Sequence, residues 1–182
     1  MRRGFGRPFG PAGGGAPQIP PALQRANRLM ASGDYQGAAA AFDELAQRAE
    51  GRNGPRAPLF FMQAGRARLQ LGDGAAASAD FKHALTILAQ TKRFTWLYKA
   101  GNRAVEDLKA HKLDAEAAEI AAIVQANVPA GMATAGDAPA KSHPALPTHC
   151  PACGGPVRSD EADWIDDLTA ECPFCGSPVR AG

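Results

Sequence analysis

The chain is predicted to be an all-α helical-repeat solenoid of three helix–turn–helix units, followed by a small β-type module organised by a metal ion. Three observations predict this. The phrase SGDYQGAAAAFDELA (32–46) returns as LGDGAAASADFKHAL (71–85). Alanine, the strongest helix former, crowds the middle of the chain. All four cysteines fall near the C-terminus, in two near-copies of one phrase, CPACGGPVR (150–158) and CPFCGSPVR (172–180).

Residues 1–20 come first, and ten of them are Gly or Pro. Such a stretch buries too little surface to offset its conformational entropy and is expected to be a disordered tail. Its basic start, MRRGFGRPFG, has no apolar block behind it, so neither a Sec nor a twin-arginine signal is expected. No run approaches the roughly 20 apolar residues that span a bilayer. The expectation is a cytoplasmic protein without membrane association.

Residues 21–127 carry the repeat. With the two phrases aligned, Gly33 pairs with Gly72, Asp34 with Asp73, Ala38 with Ala77, Phe42 with Phe81, and small Ala26 with Gly65. A third copy, AGNRAVEDLKAHKLDAEAAEIAAIV (100–124), keeps small Ala104 and a turn near His111-Lys112, but has neither the Gly nor the Phe. The glycines suit the left-handed position that ends a helix. The small residues let paired helices approach, and the phenylalanines fill the gap to the next unit. Helices are predicted at 21–32, 35–50, 57–71, 74–90, 93–110 and 113–127. Apolar stripes such as Phe81, Leu85, Leu88 and Leu113, Ala117, Ile120, Val124 support them. Trp96, Tyr98 and Phe94 at the start of the fifth helix are expected to pack between units.

Over residues 22–126 this pattern resembles the tetratricopeptide repeat, whose period of about 34 residues is lengthened here by the loop GRNGPRAP (51–58). The resemblance implies a groove lined by the first helix of each unit, holding a peptide or protein partner. Its positions map onto Asn27, Met62, Arg66, Leu69, Asn102 and Lys109. The chaperone-binding members use a fuller set of cations, and Leu23 and Met62 depart from it. No polar capping helix follows Asn127, which leaves an open apolar strip for self-association or for the C-terminal module.

Residues 128–148, VPAGMATAGDAPAKSHPALPT, read as a flexible linker spanning roughly 25 Å as a coil. Beyond it, Cys150, Cys153, Cys172 and Cys175 form two Cys-x2-Cys pairs. Two residues between thiolates make a turn tight enough to aim both sulfurs at one ion at about 2.3 Å. Gly154 and Gly176 permit the turn, and Pro151 and Pro173 stiffen it. Over residues 149–182 the doubled phrase resembles a zinc ribbon, in the group that also looks like rubredoxin. One structural Zn²⁺ on the four cysteines is the expected cofactor; iron, a pair of disulfides and a catalytic thiol pair are the alternatives. So short a module needs the metal to fold. Trp164, Ile165 and Leu168 are expected to form its apolar patch, with His149 a bystander and His83 and His111 solvated on helices.

Charge and motif content narrow the function. Residues 1–149 hold 18 Lys/Arg against 12 Asp/Glu, whereas residues 150–182 hold 2 against 6. The acids Asp160, Glu161, Asp163, Asp166, Asp167 and Glu171 between the knuckles would repel a phosphate backbone, so nucleic acid is not an expected partner of the ribbon. Four thiolates leave zinc no open position to activate water. No phosphate-binding Gly-rich loop, HExxH or nucleophile elbow is present. The expected function is a non-enzymatic protein–protein interaction adaptor or scaffold. A nucleic-acid or transcription-associated role through the basic N-terminal half and a rubredoxin-like iron electron carrier are the alternatives.

Overall fold

In the computed structural model, residues 20–129, 143–159, 162–164, 166–172 and 177–182 are described. The expected tail, apart from Pro20, and residues 130–142 of the expected linker lie outside them.

Six helices account for most of the described chain: α1 (Pro21–Ala31), α2 (Tyr35–Glu50), α3 (Ala57–Gln70), α4 (Gly74–Gln90), α5 (Phe94–Ala110) and α6 (Asp114–Asn127). Each limit lies within one residue of its sequence expectation. The punctuation explains the agreement. Pro21 opens α1, where a missing amide costs nothing. Asp34 and Asp73 cap α2 and α4 by accepting from the amides of Gly37 and Ala76 at 2.9 and 3.1 Å. Between the helices of the first two units the chain turns through a left-handed residue, Gly33 at φ 81° and Gly72 at φ 78°. The third unit makes the same turn with Lys112, at φ 60°, and its capping position holds Leu113, which forms no side-chain cap. The turns between units recur with the spacing of the glycines, through Asn53 (φ 51°) and Lys92 (φ 55°).

Each helix packs on the next, and contacts also join α3 to α5 and α4 to α6. The small-to-large pairing of the repeat lies in the core. Ala26, Phe42, Phe81, Ala104 and Ile120 all have 0% exposure, so Ile120 stands in the third unit where phenylalanine stands in the others. Gly65 is where α3 and α4 meet closely: a methyl group there would lie 2.6 Å from the ring of Phe81. Phe94, Trp96 and Tyr98 are half-buried, and the guanidinium of Arg93 lies 5.2 Å from the centre of the Trp96 ring.

Arg68 of α3 is clamped between two neighbours, bonding Asp43 of α2 and Asp80 of α4. Burial pushes the Asp80 carboxyl above its ordinary range, against the opposing pull of Arg68. The outward face of α6 carries Ala115, Ala118, Glu119, Ala122 and Gln125, all exposed. Alanine methyls leave little apolar area there, and the only large exposed hydrophobics among the described residues are Leu71 and Leu168. No helix among the described residues is long and apolar enough to cross a membrane.

The C-terminal part holds a three-stranded antiparallel sheet in the order β1 (Asp163–Trp164), β2 (Thr169–Glu171), β3 (Pro178–Arg180). Residues 143–148, assigned by composition to the linker, pack onto this sheet module. Leu146 is buried and its amide donates to Ser159 Oγ at 3.0 Å, while the His143 ring stacks on Trp164 at 4.1 Å.

Candidate metal centre

The described residues of the doubled cysteine phrase repeat one pattern of backbone pairing. In the first copy, the Cys150 amide donates to the Gly155 carbonyl at 2.8 Å; in the second, the Cys172 amide donates to the Ser177 carbonyl at 2.9 Å. The flanking pairs match as well. His149 bridges Pro156 as Glu171 pairs with Pro178, and Val157 bonds Thr148 as Val179 pairs with Ala170. A repeat in sequence has become a repeat in backbone hydrogen bonding.

Three of the cysteines, Cys150, Cys153 and Cys172, come to a shared centre. The Sγ atoms of Cys150, Cys153 and Cys172 lie within 4.8 Å of one another, and all three residues are buried. Cys175 lies outside the described residues. The Cys153 and Cys172 sulfurs are 3.8 Å apart, far beyond a disulfide bond of about 2.05 Å. A tetrahedron with metal–sulfur bonds of about 2.3 Å has edges of about 3.8 Å, so the donor set fits such an ion. The first knuckle also turns an amide toward its sulfur. The Gly154 amide, in a residue at φ 71°, donates to the Cys150 carbonyl at 2.8 Å, and the Gly155 amide then approaches Cys153 Sγ at 3.4 Å. Such N–H groups stabilise negative charge on a thiolate and orient it. The three buried cysteines could therefore hold a metal ion.

The apolar support differs from the expected patch. Leu168 is 48% exposed and Trp164 half-buried, with Ile165 outside the described residues. Leu146, Val157, Ala162, Ala170 and Val179 are buried instead. The reason is a turn between β1 and β2: Asp166 Oδ1 accepts from the Leu168 amide at 2.8 Å, placing Leu168 at the hairpin tip. The same bond, foremost, holds the Asp166 carboxyl below its ordinary range. Trp164 is anchored by its indole N–H, which donates to the Ser159 carbonyl at 3.1 Å. His149 is not one of the clustered donors. His83 and His111 are exposed, the former 2.9 Å from Glu50 and the latter 2.9 Å from the Asp107 carbonyl.

The six groove positions divide. Asn27, Met62 and Leu69 are buried, each with 3% exposure. Arg66 is partly buried and its Nε lies 2.9 Å from Asp107 of α5. Asn102 and Lys109 are exposed. Sequence reasoning missed Asp107, which also lies 3.2 Å from Arg103. It missed too the contact that buries Asn27, whose Nδ2 donates to the Cys153 carbonyl at 3.1 Å. The only signal for that contact was an uncharged amide at a position where the next unit has Arg66.

No protein-family model, curated protein or solved structure matches this chain.

Proposed function

We propose that residues 21–127 form a tetratricopeptide-like solenoid of three units serving as a peptide platform. The C-terminal module is a structural zinc ribbon, with Cys175 completing the set of Cys150, Cys153 and Cys172. The protein is a non-enzymatic adaptor of the cytoplasm, where thiols stay reduced. Evenly recurring left-handed turns and contacts between alternate helices support the solenoid. Closed ligation by four thiolates would leave no position for a substrate, which supports a structural rather than catalytic ion.

One observation carries the adaptor reading. The face shared by α1, α3 and α5 already holds a backbone carbonyl, that of Cys153, on the side-chain amide of Asn27. A surface that binds one backbone carbonyl through an asparagine has the chemistry to bind another. The exposed Asn102 and Lys109 of α5 offer a second amide and a cation for a peptide's carbonyls or terminal carboxylate.

The test is a peptide array probed with the metal-loaded full chain. Bound peptides should be weakened by Lys109→Glu and Asn102→Glu, two exposed changes that leave the core untouched. Partners retained by a chain lacking residues 22–126 would refute the reading. Elemental analysis should find one zinc per chain.

A further inference from the structure

The cysteine module does not stand apart from the helices. Cys153 and Asn27 meet across 126 residues of chain, and buried residues of both parts belong to one continuous cluster. Beside that contact lies a cavity of about 230 Å³. Its walls include Met30 of α1, Arg66 and Leu69 of α3, Asp107 of α5, and Pro156 and Arg158 from the module. The first knuckle thus covers the face that the groove reading assigns to a peptide.

We propose that this knuckle is an intramolecular plug of the helical groove, held in place by the metal and displaced by an extended peptide. The proposal rests on the groove reading and adds its regulation. Two features of the contact carry it.

The first is incomplete satisfaction. A side-chain amide has a donor and an acceptor side, and the knuckle meets only the donor side. Asn27 Oδ1 is buried with no hydrogen-bond partner among the described residues. An extended peptide presents both C=O and N–H along its edge and satisfies both sides of one asparagine. The knuckle is therefore the weaker of two possible occupants at this residue, as a displaceable plug must be.

The second is the origin of the carbonyl's position. Cys153 is both the residue whose carbonyl Asn27 holds and one of the clustered thiols. Its backbone is set by a short turn, closed by Gly154 on Cys150 and Cys150 on Gly155. A metal on the sulfurs ties that turn to the second copy of the phrase at Cys172. Without this tie, the module is too small to hold its shape by apolar burial, and the carbonyl loses its fixed place against α1.

Hydroxyl-radical footprinting of the full chain reads the exposure of single side chains and tests this without any partner. Removing the metal with a chelator should raise modification of Met30 and Leu69 several-fold while Phe42 and Phe81 stay protected. Unchanged rates at Met30 and Leu69 overturn the plug. A second arm keeps the metal and uses Asn27→Asp, which removes the donor and sets a carboxylate against the Cys153 carbonyl. Full metal content with raised modification of Met30 and Leu69 supports the proposal, and wild-type rates overturn it, whatever chelation does to the helices. Peptides recovered from the array should bind several-fold more tightly after chelation; equal affinity in both forms removes the competition. A chain that opens and closes in this way yet captures no peptide would leave the plug standing and remove the adaptor reading.

Discussion

Gly65→Ala tests the packing of the repeat most directly, because two effects of known sign oppose each other there. Alanine in a helix interior is favoured over glycine by about 1 kcal/mol. Against this, the added methyl would sit 2.6 and 2.9 Å from two carbons of the Phe81 ring and 3.1 Å from the Ala77 carbonyl oxygen. Ordinary carbon contacts are about 3.5–4.0 Å, so the overlap with the ring is roughly 1 Å. Phe81 has 0% exposure and no open side to swing into, and the carbonyl is part of α4. Relief must come from moving α3 away from α4. Overpacking of this kind costs about 1–3 kcal/mol, which exceeds the propensity gain. We expect a net loss of about 1–2 kcal/mol, or very roughly 4–10 °C in Tm for a domain of this size. Urea unfolding followed by far-ultraviolet circular dichroism measures it. Phe81→Leu in the same chain should recover part of the loss, a coupling of about 0.5–3 kcal/mol for residues in contact. A Gly65→Ala variant as stable as wild type would refute the close approach, and with it the small-to-large pairing.

Three further outcomes follow from other parts of the molecule. Lys112→Gly should stabilise the helical part by about 1 kcal/mol in the same assay, since among the turns within units only that of the third places a side-chain-bearing residue at the left-handed position. For Asp80 the folded pKa is raised, so its contribution to stability is fully present below 3.8 and is lost as pH rises through the folded value. The difference between Asp80→Asn and wild type should accordingly move in the variant's favour from acid to neutral pH; a difference constant with pH would refute this. Cys172→Ser should abolish stoichiometric metal and the near-ultraviolet signal of Trp164 while leaving the helical signal intact, and an unchanged Trp164 signal would show that the module stands without its thiol cluster.

The legible parts of this chain were those written twice. The phrase that recurs in the helical part carried its turn glycine, its capping aspartate and its interlocking aromatic, so the limits of the first four helices fell within one residue. The cysteine phrase likewise repeats its backbone pairing, with matching bonds at Cys150 and Cys172. What escaped was written once. Leu146 sits among prolines and looks like linker, yet its amide and side chain are claimed by the sheet module. Leu168 has the hydropathy of a core residue, but a bond from its own amide to Asp166 sends it to a hairpin tip. Lys112 gives no compositional hint of a positive φ; the geometry of the repeat imposes it. The clamp of Arg68 on Asp43 and Asp80 depends on how three helices are stacked, which no local pattern encodes.

The contact between the two parts belongs to this second class, and its chemistry explains why Asn27 rather than an apolar residue lies beneath the knuckle. The excess of cations before Cys150 and of acids after it favours approach of the two parts, and at Asn27 the bond is between a neutral amide and a neutral carbonyl. Net charge attracts without direction, and a hydrogen bond of this kind adds direction. A leucine at position 27 would gain more from burial, at roughly 25 cal/mol per Å² of apolar surface. It would lose the same amount on opening, making separation costly and leaving a sticky face. Asparagine behaves differently: water satisfies its donor and acceptor when the face is open, and the Cys153 carbonyl replaces only one of those partners when it is closed. The residue is tolerable in both states and optimal in neither. A contact of that kind suits two surfaces that part as well as meet.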